Sequence, residues 1–447
     1  MKKPYYLVAG LGQTGYSVAG YLRRKKIPFV VFDTRKHVER LTDFSAKFPG
    51  IEVYLGDFPS SLYHQLTQII ASPGLSLEEP FLEQAKRHGI PIIGDVECFA
   101  QEVKAPVVAI TGTNGKSTVT TLVGEMAKAA GKNVAVAGNI GLPILDLLDD
   151  THTYDLWVLE LSSFQLELTH SLVPLAATIL NITPDHLDRH HDLEHYTQAK
   201  QRIYHHAKNC LYNRQDPLTK PRQSEQKNMI CFGLEKPTAD NEWGIITHNQ
   251  TTYLARGNEP IFPVHALKVH GQHNWQNALA ACVLAYIAGI PIPIICQVLE
   301  TFTGLEHRCQ TVRTLNQVTW INDSKGTNVG ASISAIEGIG PTLTGKIILI
   351  AGGLGKGADF TPLASVVKKY ISEVILIGKD AHLIKQALQN TAKLSTATSF
   401  EQAIEFAHKS ALPGDAVLLS PACASMDMFK DYIHRGQSFI ELVNKLS

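Results

Sequence analysis

The amino-acid sequence predicts an α/β protein in which buried parallel strands alternate with helices. Short apolar runs recur along the chain at the spacing of strand–helix units, and several of them lead directly into glycine-rich turns. The runs at residues 5–9 and 107–110 are clear examples. A chain of 447 residues can hold two to four domains, each with a core of its own.

The most informative stretch is TGTNGKST, residues 111–118, which follows the second of these runs. Its glycines allow backbone N–H groups to face an anion, and the N-terminus of the next helix adds partial positive charge. Lys116 can reach terminal phosphates, and the Ser117 hydroxyl can take a Mg²⁺ position. The strict phosphate-loop pattern would have glycine at Ile110, but the strand–loop–helix context favours a nucleotide site over a chance glycine turn.

Composition excludes several other classes of protein. Acidic and basic residues balance at 41 each, which argues against a nucleic-acid or membrane-surface partner. The seven cysteines contain no C-x-x-C pair and fit a reducing compartment better than a disulfide framework or a structural zinc site. The N-terminal segment indicates a first strand rather than a signal peptide, and no apolar run is long enough to cross a bilayer. We therefore expect a soluble, cytoplasmic protein.

The N-terminal region carries a dinucleotide-type fingerprint. The turn GLGQTG at residues 10–15 lies between a strand and a helix, and a second strand, residues 28–32, ends at Asp33. An NAD-binding half-domain is the natural first interpretation. However, Thr14 in the turn and Arg35 after the acid also suit a phosphate or diphosphate that stays bound while chemistry occurs elsewhere. Strand–helix alternation continues to about residue 98, which predicts a doubly wound sheet.

In the central region, two side chains follow predicted strands. Glu160 ends the strand at residues 155–159, and His186 lies just past the strand at residues 176–182. Open parallel sheets bind ligands at the carboxyl ends of their strands, so Glu160 is predicted to hold a metal rather than to be an ordinary exposed acid. The neighbouring histidines match no zinc spacing. From its residues alone, Lys200 would be an ordinary surface lysine on the predicted helix 194–206.

The βα pattern restarts after residues 304–308, with strands predicted at 318–321, 346–351, 373–377 and 416–419. Before it, Asn274 and Asn277 precede an apolar helix predicted at 278–287, where they could cap the helix or bind a base or a metal-bound water. The glycine loop around Lys356 has no following Ser or Thr, so we expect this lysine to fix a carboxylate rather than ATP. Cys423 is more typical of a small buried thiol than of a nucleophile.

With these residues in hand, the chain resembles the Mur ligase family over its whole length, and within it the D-glutamate-adding branch. The resemblance rests on ordered motifs: GLGQTG, DTR, SPG, TGTNGKST, GNIG, LELSSFQLE, NITPDHLDR, GQHNWQNALAA, GLEHR, NDSKGTN, AGGLGKGADF and LSPACASMDMF. The D-N-P-R string of the diaminopimelate-adding relatives is absent. The resemblance implies an α/β fold of three domains. They are a Rossmann-like UDP-substrate-binding domain (1–97), a central P-loop ATPase-like domain that binds ATP (98–303) and a dinucleotide-binding-like domain that binds the amino acid (304–447).

The resemblance also implies an activity. We expect an ATP-dependent ligase that joins D-glutamate to UDP-N-acetylmuramoyl-L-alanine through an acyl phosphate, releasing ADP and phosphate, in peptidoglycan precursor synthesis. It implies two Mg²⁺ sites, with Ser117, Glu160 and His186 as ligands and a carbamylated Lys200 at the second, which replaces the surface interpretation of that lysine. It implies a monomer with no nucleic-acid partner and no membrane insertion.

The same resemblance assigns roles residue by residue. The implied catalytic residues are Lys116, His186 and Lys200. The implied ATP contacts are Gly112, Thr113, Asn114, Gly115, Lys116, Ser117, Thr118, Asn274, Arg308 and Asp323. The implied contacts to the UDP substrate are Thr14, Asp33, Thr34, Arg35, Gly74 and Asn139. The implied D-glutamate contacts are Thr327, Lys356, Ser425 and Tyr432, the last at a position where the family often has phenylalanine.

Three other functions are alternatives to this predicted ligase activity. The first is another amide ligase of the same superfamily, of the folylpolyglutamate synthase kind. The second is a nicotinamide oxidoreductase, suggested by residues 10–33. The third is a nucleotide switch that turns over ATP without any amino acid. The three differ in the substrates that they require, so substrate dependence separates them.

Overall fold

The computed structural model describes residues 5–148, 153–222, 228–269 and 271–447, and it arranges them around three separate sheets. The first sheet is wholly parallel, with strand order β3-β2-β1-β4-β5. Its elements are β1 (Tyr6–Ala9), α1 (Gln13–Arg24), β2 (Phe29–Asp33), α2 (Leu41–Lys47), β3 (Val53–Leu55), β4 (Gln68–Ala71), α3 (Pro80–Arg87), β5 (Ile92–Ile93) and α4 (Asp95–Ala100). The predicted strand before the GLGQTG turn, the helix after it and the second strand that ends at Asp33 are confirmed.

Helix α4 joins this region to the next. The Glu97 carboxylate accepts hydrogen bonds from the backbone N–H groups of His170 (2.6 Å) and Ser171 (2.9 Å), so α4 is anchored to the central region. The predicted domain boundary between residues 97 and 98 falls inside this helix.

The central sheet has the order β14-β13-β12-β11-β10-β9-β6-β8-β7. Its strands run parallel from β7 to β12, and β13 and β14 extend it by antiparallel pairing. The strands are β6 (Val107–Thr111), β7 (Val134–Gly138), β8 (Leu156–Glu160), β9 (Ala176–Ile179), β10 (Asn209–Asn213), β11 (Asn228–Phe232), β12 (Trp243–His248), β13 (Thr251–Arg256) and β14 (Glu259–Pro263). The helices are α5 (Lys116–Ala129), α6 (Ile144–Leu147), α7 (Ser163–Glu167), α8 (Leu187–His190), α9 (Leu193–Gln201), α10 (Gln272–Ile287) and α11 (Ile292–Thr301).

Strand β6 shows why its sequence is apolar throughout. Val107 and Ala109 pack into one buried cluster, whereas Val108 and Ile110 pack into another on the opposite face. A strand covered on both faces needs a continuous apolar run, as predicted.

The third sheet has the order β15-β16-β20-β17-β18-β19, in which only the β15–β16 pair is antiparallel among the described pairs. Its strands are β15 (Gln310–Leu315), β16 (Val318–Asn322), β17 (Ile347–Gly352), β18 (Ile371–Ile377), β19 (Lys393–Thr396) and β20 (Ala416–Leu419). Its helices are α12 (Val329–Ile339), α13 (Leu363–Tyr370), α14 (Ala381–Ala387), α15 (Phe400–Ser410) and α16 (Tyr432–Asn444). The three-domain α/β fold is thereby confirmed. In the described parts of the chain, no helix has the length and apolar character needed to span a membrane.

One predicted helix boundary was wrong, and one strand was not predicted. Helix α10 begins at Gln272 rather than at residue 278, because its polar first turns line a cavity instead of forming a loop. Strand β14 was not predicted, since Pro260 and Pro263 disfavour strand structure. It exists because it lies at the edge of the sheet, where missing N–H donors are tolerated.

Candidate active site

The candidate active site lies at the carboxyl ends of the central parallel strands. Gly112 follows β6, Gly138 and Glu160 end β7 and β8, and Asn181 lies two residues after β9. Four chain segments therefore meet at one edge of the sheet, which is where α/β folds bind ligands.

The phosphate loop is held in shape by Asn181. The N–H groups of Thr113 and Asn114 donate to the backbone oxygen (2.9 Å) and Oδ1 (2.8 Å) of Asn181, and Asn181 Nδ2 returns a 3.0 Å bond to Asn114 O. Gly115 has φ = +82°, and a Cβ there would lie 2.3 Å from Asn277 Oδ1. Only glycine fits at this position. Because two of the loop's N–H groups are engaged, the later residues of the loop are the ones that face an anion.

Two lysines flank the loop: Lys200 is buried and Lys116 is half-buried. Lys116 Nζ donates to the carbonyl oxygens of Gly112 and Thr113, both at 2.9 Å. Lys200 Nζ donates to Gly112 O at 2.9 Å and lies 4.6 Å from the centre of the Tyr196 ring. Burial lowers the pKa of Lys116 and lowers that of Lys200 well below its ordinary value, and the charge of Lys116 lowers the latter further. Lys200 is 1% exposed, so its interpretation as a surface lysine from residue pattern alone was wrong.

Glu160 offers a free buried oxygen at the same edge. Its Oε1 accepts a 2.9 Å hydrogen bond from Asn139 Nδ2, whereas Oε2 is buried and has no hydrogen-bond partner among the described residues. An unpartnered buried carboxylate oxygen is costly unless a ligand completes it. A hard cation such as Mg²⁺ is a suitable ligand for such an oxygen.

His186 is the N-cap residue of α8 and has a left-handed backbone conformation, with φ = +55°. Burial lowers its pKa to about 4, so the imidazole is neutral at pH 7 and can donate a lone pair. Ser117 Oγ accepts a 3.0 Å hydrogen bond from the Arg308 guanidinium. Across the described ranges, no three His, Cys, Asp or Glu side chains form a ready-made metal cluster. Mg²⁺ is usually held by one or two carboxylates with substrate phosphates and water, so the donors present still suit it.

A cavity of about 210 Å³ opens between the phosphate loop and the third sheet. The predicted ATP contacts that line it are Asn114, Gly115, Thr118, Asn274, Arg308 and Asp323. Asp323 is buried, and burial raises its pKa to about 6. Its Oδ2 accepts from Ser420 Oγ at 2.7 Å, and its Oδ1 accepts from the Cys309 N–H at 3.2 Å. The cavity therefore has the central region on one wall and the C-terminal region on the other.

The predicted amino-acid contacts lie on three loops of the C-terminal region. Antiparallel hydrogen bonds of 2.9 Å between Leu354 and Ala424 bring the loop of Lys356 beside that of Ser425. Lys356 crosses to the central region, where its Nζ lies 2.5 Å from Asp185 Oδ1. Tyr432 begins α16, and Lys325 Nζ lies 3.7 Å from the centre of its ring. Thr327 lies one residue before the Asn328 cap of α12.

Two of the predicted UDP contacts, Asp33 and Arg35, are joined to each other. The Asp33 carboxylate accepts hydrogen bonds from the Leu11 N–H at 2.7 Å and from Arg35 Nε and Nη2, both at 2.8 Å. Burial alone would raise the pKa of Asp33, but these hydrogen bonds lower it below its usual value. Leu11 and Arg35 border a cavity of about 440 Å³. Asn139 is separate from this pair, because it contacts Glu160.

Sequence reasoning missed several residues of the site. Asn181 and Asp185 follow β9, just as Glu160 ends β8. Their position past a strand end could therefore have identified them as site residues. Asn328 caps α12, which the polar residue before an apolar helix could have indicated. Arg435 is 1% exposed and donates to Ser324 O at 2.8 Å. Nothing in its local sequence signals that burial.

Comparisons with known proteins agree with this architecture. Three family models match in order: the Mur ligase MurD-like N-terminal domain at residues 5–94, the Mur ligase middle domain at 110–285 and the Mur ligase glutamate ligase domain at 307–423. The chain is 58% identical to the UDP-N-acetylmuramoylalanine--D-glutamate ligase of Legionella pneumophila (strain Paris), covering 100% of both chains. It is 46% identical to the protein of the same name from Pseudomonas aeruginosa, covering 99% of this chain and 98% of that one.

Solved structures share the fold at lower identity. The MurF ligase of Thermotoga maritima in complex with ADP has a TM-score of 0.63 at 16% identity, covering 100% of this chain and 95% of that chain. UDP-N-acetylmuramate-alanine ligase MurC, also from Thermotoga maritima, has a TM-score of 0.61 at 18% identity and covers 99% of each chain. With matched family models along most of its length and full-length relatives at 46% identity and above, this chain belongs to the Mur ligase family.

Proposed function

We propose that the protein is an ATP-dependent ligase that joins D-glutamate to UDP-N-acetylmuramoyl-L-alanine, releasing ADP and phosphate, in peptidoglycan precursor synthesis. The observations that carry the proposal are the cavity between the phosphate loop and the C-terminal region and two side-chain contacts that join these regions, Arg308 to Ser117 and Lys356 to Asp185. Such a cavity can bring a nucleotide from one wall together with an amino acid from the other. The names of the full-length relatives support the same substrates.

The first step couples two anions. A carboxylate oxygen of the UDP substrate attacks the γ-phosphorus of ATP, the bond to the β–γ bridging oxygen breaks, and ADP leaves with an acyl phosphate formed. Lys116 supplies positive charge to the phosphates by exchanging its contacts with the carbonyls of Gly112 and Thr113 for phosphate oxygens. Arg308 adds a second positive charge at Ser117, at the opposite wall. Charge neutralisation and alignment are the residues' main contributions.

The second step forms the amide. The neutral amine of D-glutamate attacks the acyl carbonyl carbon, a tetrahedral intermediate forms, and its collapse expels inorganic phosphate while the nitrogen loses a proton. Lys356 is suited to bind a carboxylate of the amino acid, because its ammonium already pairs with the Asp185 carboxylate. Ser425 is buried beside the same loop and provides a hydroxyl. Thr327 and Tyr432 complete the proposed amino-acid site.

Mg²⁺ is proposed to be held by Glu160 Oε2, His186 and Ser117, with the orphaned carboxylate oxygen as the main support. When bound, the ion polarises phosphate oxygens and neutralises their developing charge. Asn139 orients Glu160 through its 2.9 Å hydrogen bond. His186 stays neutral because burial lowers its pKa.

Lys200 is proposed to be carbamylated. A neutral amine adds to CO₂ to give a carbamate and a released proton, so the reaction requires a lysine with a lowered pKa. Burial provides that for Lys200. The product is a carboxylate-like oxygen donor beside the phosphate loop, suited to a second Mg²⁺. Its negative charge would also be stabilised by Lys116, which shares the same carbonyl acceptor.

For the UDP end, we propose that Thr14, Thr34, Arg35 and Gly74 line the site and that Asp33 organises it through Leu11 and Arg35. We further propose domain limits at residues 97/98 and 303/304, and a monomer that acts in the cytoplasm, where ATP and UDP-activated sugars are available. Sedimentation of the purified protein tests the monomer.

An amino-acid panel tests the function. The protein is incubated with UDP-N-acetylmuramoyl-L-alanine, ATP and Mg²⁺ and one amino acid at a time, while phosphate release and product mass are measured. We expect phosphate and a new amide in equal amounts with D-glutamate, and neither without it. Amide formation only in a parallel incubation with a folate acceptor and L-glutamate would overturn the proposal in favour of a different ligase. ATP turnover without any amide would overturn it in favour of a nucleotide switch.

A further inference from the structure

The side chain of Asn328 joins three segments of the chain. Its Oδ1 accepts hydrogen bonds from the Ala331 N–H at 2.9 Å and from Asn114 Nδ2 at 3.3 Å. Its Nδ2 donates to Asn114 Oδ1 at 3.1 Å and to Asp185 Oδ2 at 3.2 Å. The first contact lies in its own helix, and the others cross to the phosphate loop and to the segment before α8.

These contacts use the full capacity of a primary amide, which has two hydrogens to donate and two lone pairs to accept. Asn328 is 6% exposed, so an unmade bond here would not be replaced freely by solvent. A carboxylate has no donor for Asn114 Oδ1 and Asp185, and an alkyl chain has neither donor nor acceptor. The arrangement therefore selects asparagine.

Both partners are themselves fixed. The backbone of Asn114 is bonded at its N–H and its C=O by Asn181, so its side chain reports the position of the phosphate loop. Asp185 also holds Lys356 and accepts from the His186 N–H at 2.9 Å. Asn328 therefore ties the phosphate loop to the two residues, Thr327 beside it and Lys356 across Asp185, that are proposed to bind the amino acid.

We propose that Asn328 is a positioning residue that aligns the amino-acid site with the phosphate loop. It touches no reacting atom; it sets the distance at which the amine meets the acyl phosphate. The role rests on the proposed function. Since displacements of about 1 Å can cost about 100-fold in rate, a single interdomain amide can govern the second step.

The test is Asn328→Asp. Aspartate caps a helix as well as asparagine does, so the bond to Ala331 and the start of α12 are retained. The substitution instead sets two carboxylates against each other at the 3.2 Å contact with Asp185. We expect KM for D-glutamate to rise at least tenfold, with the Kd for the UDP substrate unchanged. The melting temperature should fall as well, because buried acceptors lose their donor. Asn316→Asp, in the exposed turn between β15 and β16, adds the same charge elsewhere and should leave all values unchanged.

A second variant restores the complementarity. In Asn328→Asp combined with Asp185→Asn, the new amide at 185 can donate to the new carboxylate at 328, which still leaves one negative charge near Lys356. We expect the double variant to bring KM for D-glutamate back to within threefold of that of Asp185→Asn alone. A D-glutamate KM in Asn328→Asp within twofold of the parent's, equal losses in UDP-substrate binding, or a double variant no better than Asn328→Asp would each overturn the proposal.

A readout without substrates separates this proposal from the proposed function. Hydrogen exchange of the backbone amides at residues 322–328 should be faster in Asn328→Asp than in the parent protein, because the contact with the phosphate loop is lost. If the parent forms no amide with any amino acid but the exchange difference is present, the proposed function fails, whereas the link that Asn328 makes to the phosphate loop is supported. Unchanged exchange would overturn that link itself.

Discussion

Lys116 and Lys200 donate to the same acceptor, the carbonyl oxygen of Gly112, each at 2.9 Å. Two ammonium groups around one oxygen repel each other, and desolvation already disfavours both charges. The pKa of Lys200 is lowered well below its ordinary value, with burial as the larger cause and Lys116 as the second. The neutral amine of Lys200 is therefore easier to form than that of an exposed lysine, whose pKa is not lowered.

The first prediction concerns dissolved CO₂. If Lys200 reacts as a neutral amine, removal of CO₂ from the buffer should reduce activity several-fold and added bicarbonate should restore it. Carbon-13 NMR with labelled CO₂ should show one slow-exchanging carbamate that Lys200→Ala lacks. Short carboxylic acids should partly restore the activity of that variant, because they supply the missing oxygen donor.

Lys128 provides the control for this experiment, since its exposed amine pairs with Glu125 at 2.9 Å on the surface of α5. Lys128→Ala should retain both the carbamate signal and the CO₂ dependence. A parent enzyme indifferent to CO₂ with no carbamate resonance would contradict the prediction.

The second prediction concerns the unpartnered oxygen of Glu160. Glu160→Gln keeps the shape and removes the charge, so we expect Mg²⁺-dependent ATP turnover to fall at least 100-fold while the UDP substrate still binds. In metal-free buffer the variant should be no less stable than the parent, because Oε2 has no bond to lose. Kinetics over a Mg²⁺ series and thermal melts in a chelator measure the two effects. A clear drop in metal-free stability would indicate that the oxygen has a protein partner.

The third prediction compares two glycines of similar backbone. Gly115 and Gly131 have φ of +82° and +79°, but a Cβ would meet Asn277 Oδ1 at 2.3 Å only at Gly115, whereas Gly131 faces open space. Gly131→Ala should cost about 1 kcal/mol from backbone strain alone. Gly115→Ala should cost roughly 1–3 kcal/mol more, as is typical of overpacking, and should abolish ATP turnover. Chemical denaturation of the two variants gives the difference, and equal losses would exclude the clash.

The fourth prediction concerns pH and Asp323. Burial raises the pKa of this carboxyl to about 6, so between about pH 4 and 6 the folded chain binds more protons here than the unfolded chain. The stability that this group contributes is therefore present at low pH and is lost as pH rises through that window, at up to about 1.4 kcal/mol per unit. Asp323→Asn should remove this slope. Unfolding free energies measured from pH 4 to 7 test it, and parallel curves for parent and variant would contradict it.

Local sequence signals predicted the regular parts of this fold well. A continuous apolar run followed by glycine and then lysine has few alternatives to strand, loop and helix, and β6 and α5 have that form. Glu160 was placed at a strand end for the same reason. The resemblance then supplied residues with weak local signals, such as Lys200, whose burial depends on how α9 packs beneath the phosphate loop.

Contacts between distant segments could not be predicted in this way. The hydrogen bond between Asn328 and Asn114 joins residues that are 214 positions apart in sequence, and no spacing rule links them. Arg435 follows the exposed His434 on α16, yet its guanidinium donates to the backbone oxygens of Ser324 and Cys423. Such groups are fixed by tertiary geometry, which becomes visible only when the three sheets are placed together.

The edge strand β14 has a consequence for the behaviour of the whole molecule. Proline carries no N–H, so Pro260 and Pro263 leave two positions of the outermost strand unable to donate to a further strand. Another chain that approached this border would find gaps in the ladder it needs. The edge of the central sheet at β14 therefore disfavours the addition of further strands, as fibril growth would require. The next two strands of the sheet, β13 and β12, contain the β-branched residues that favour fibrils.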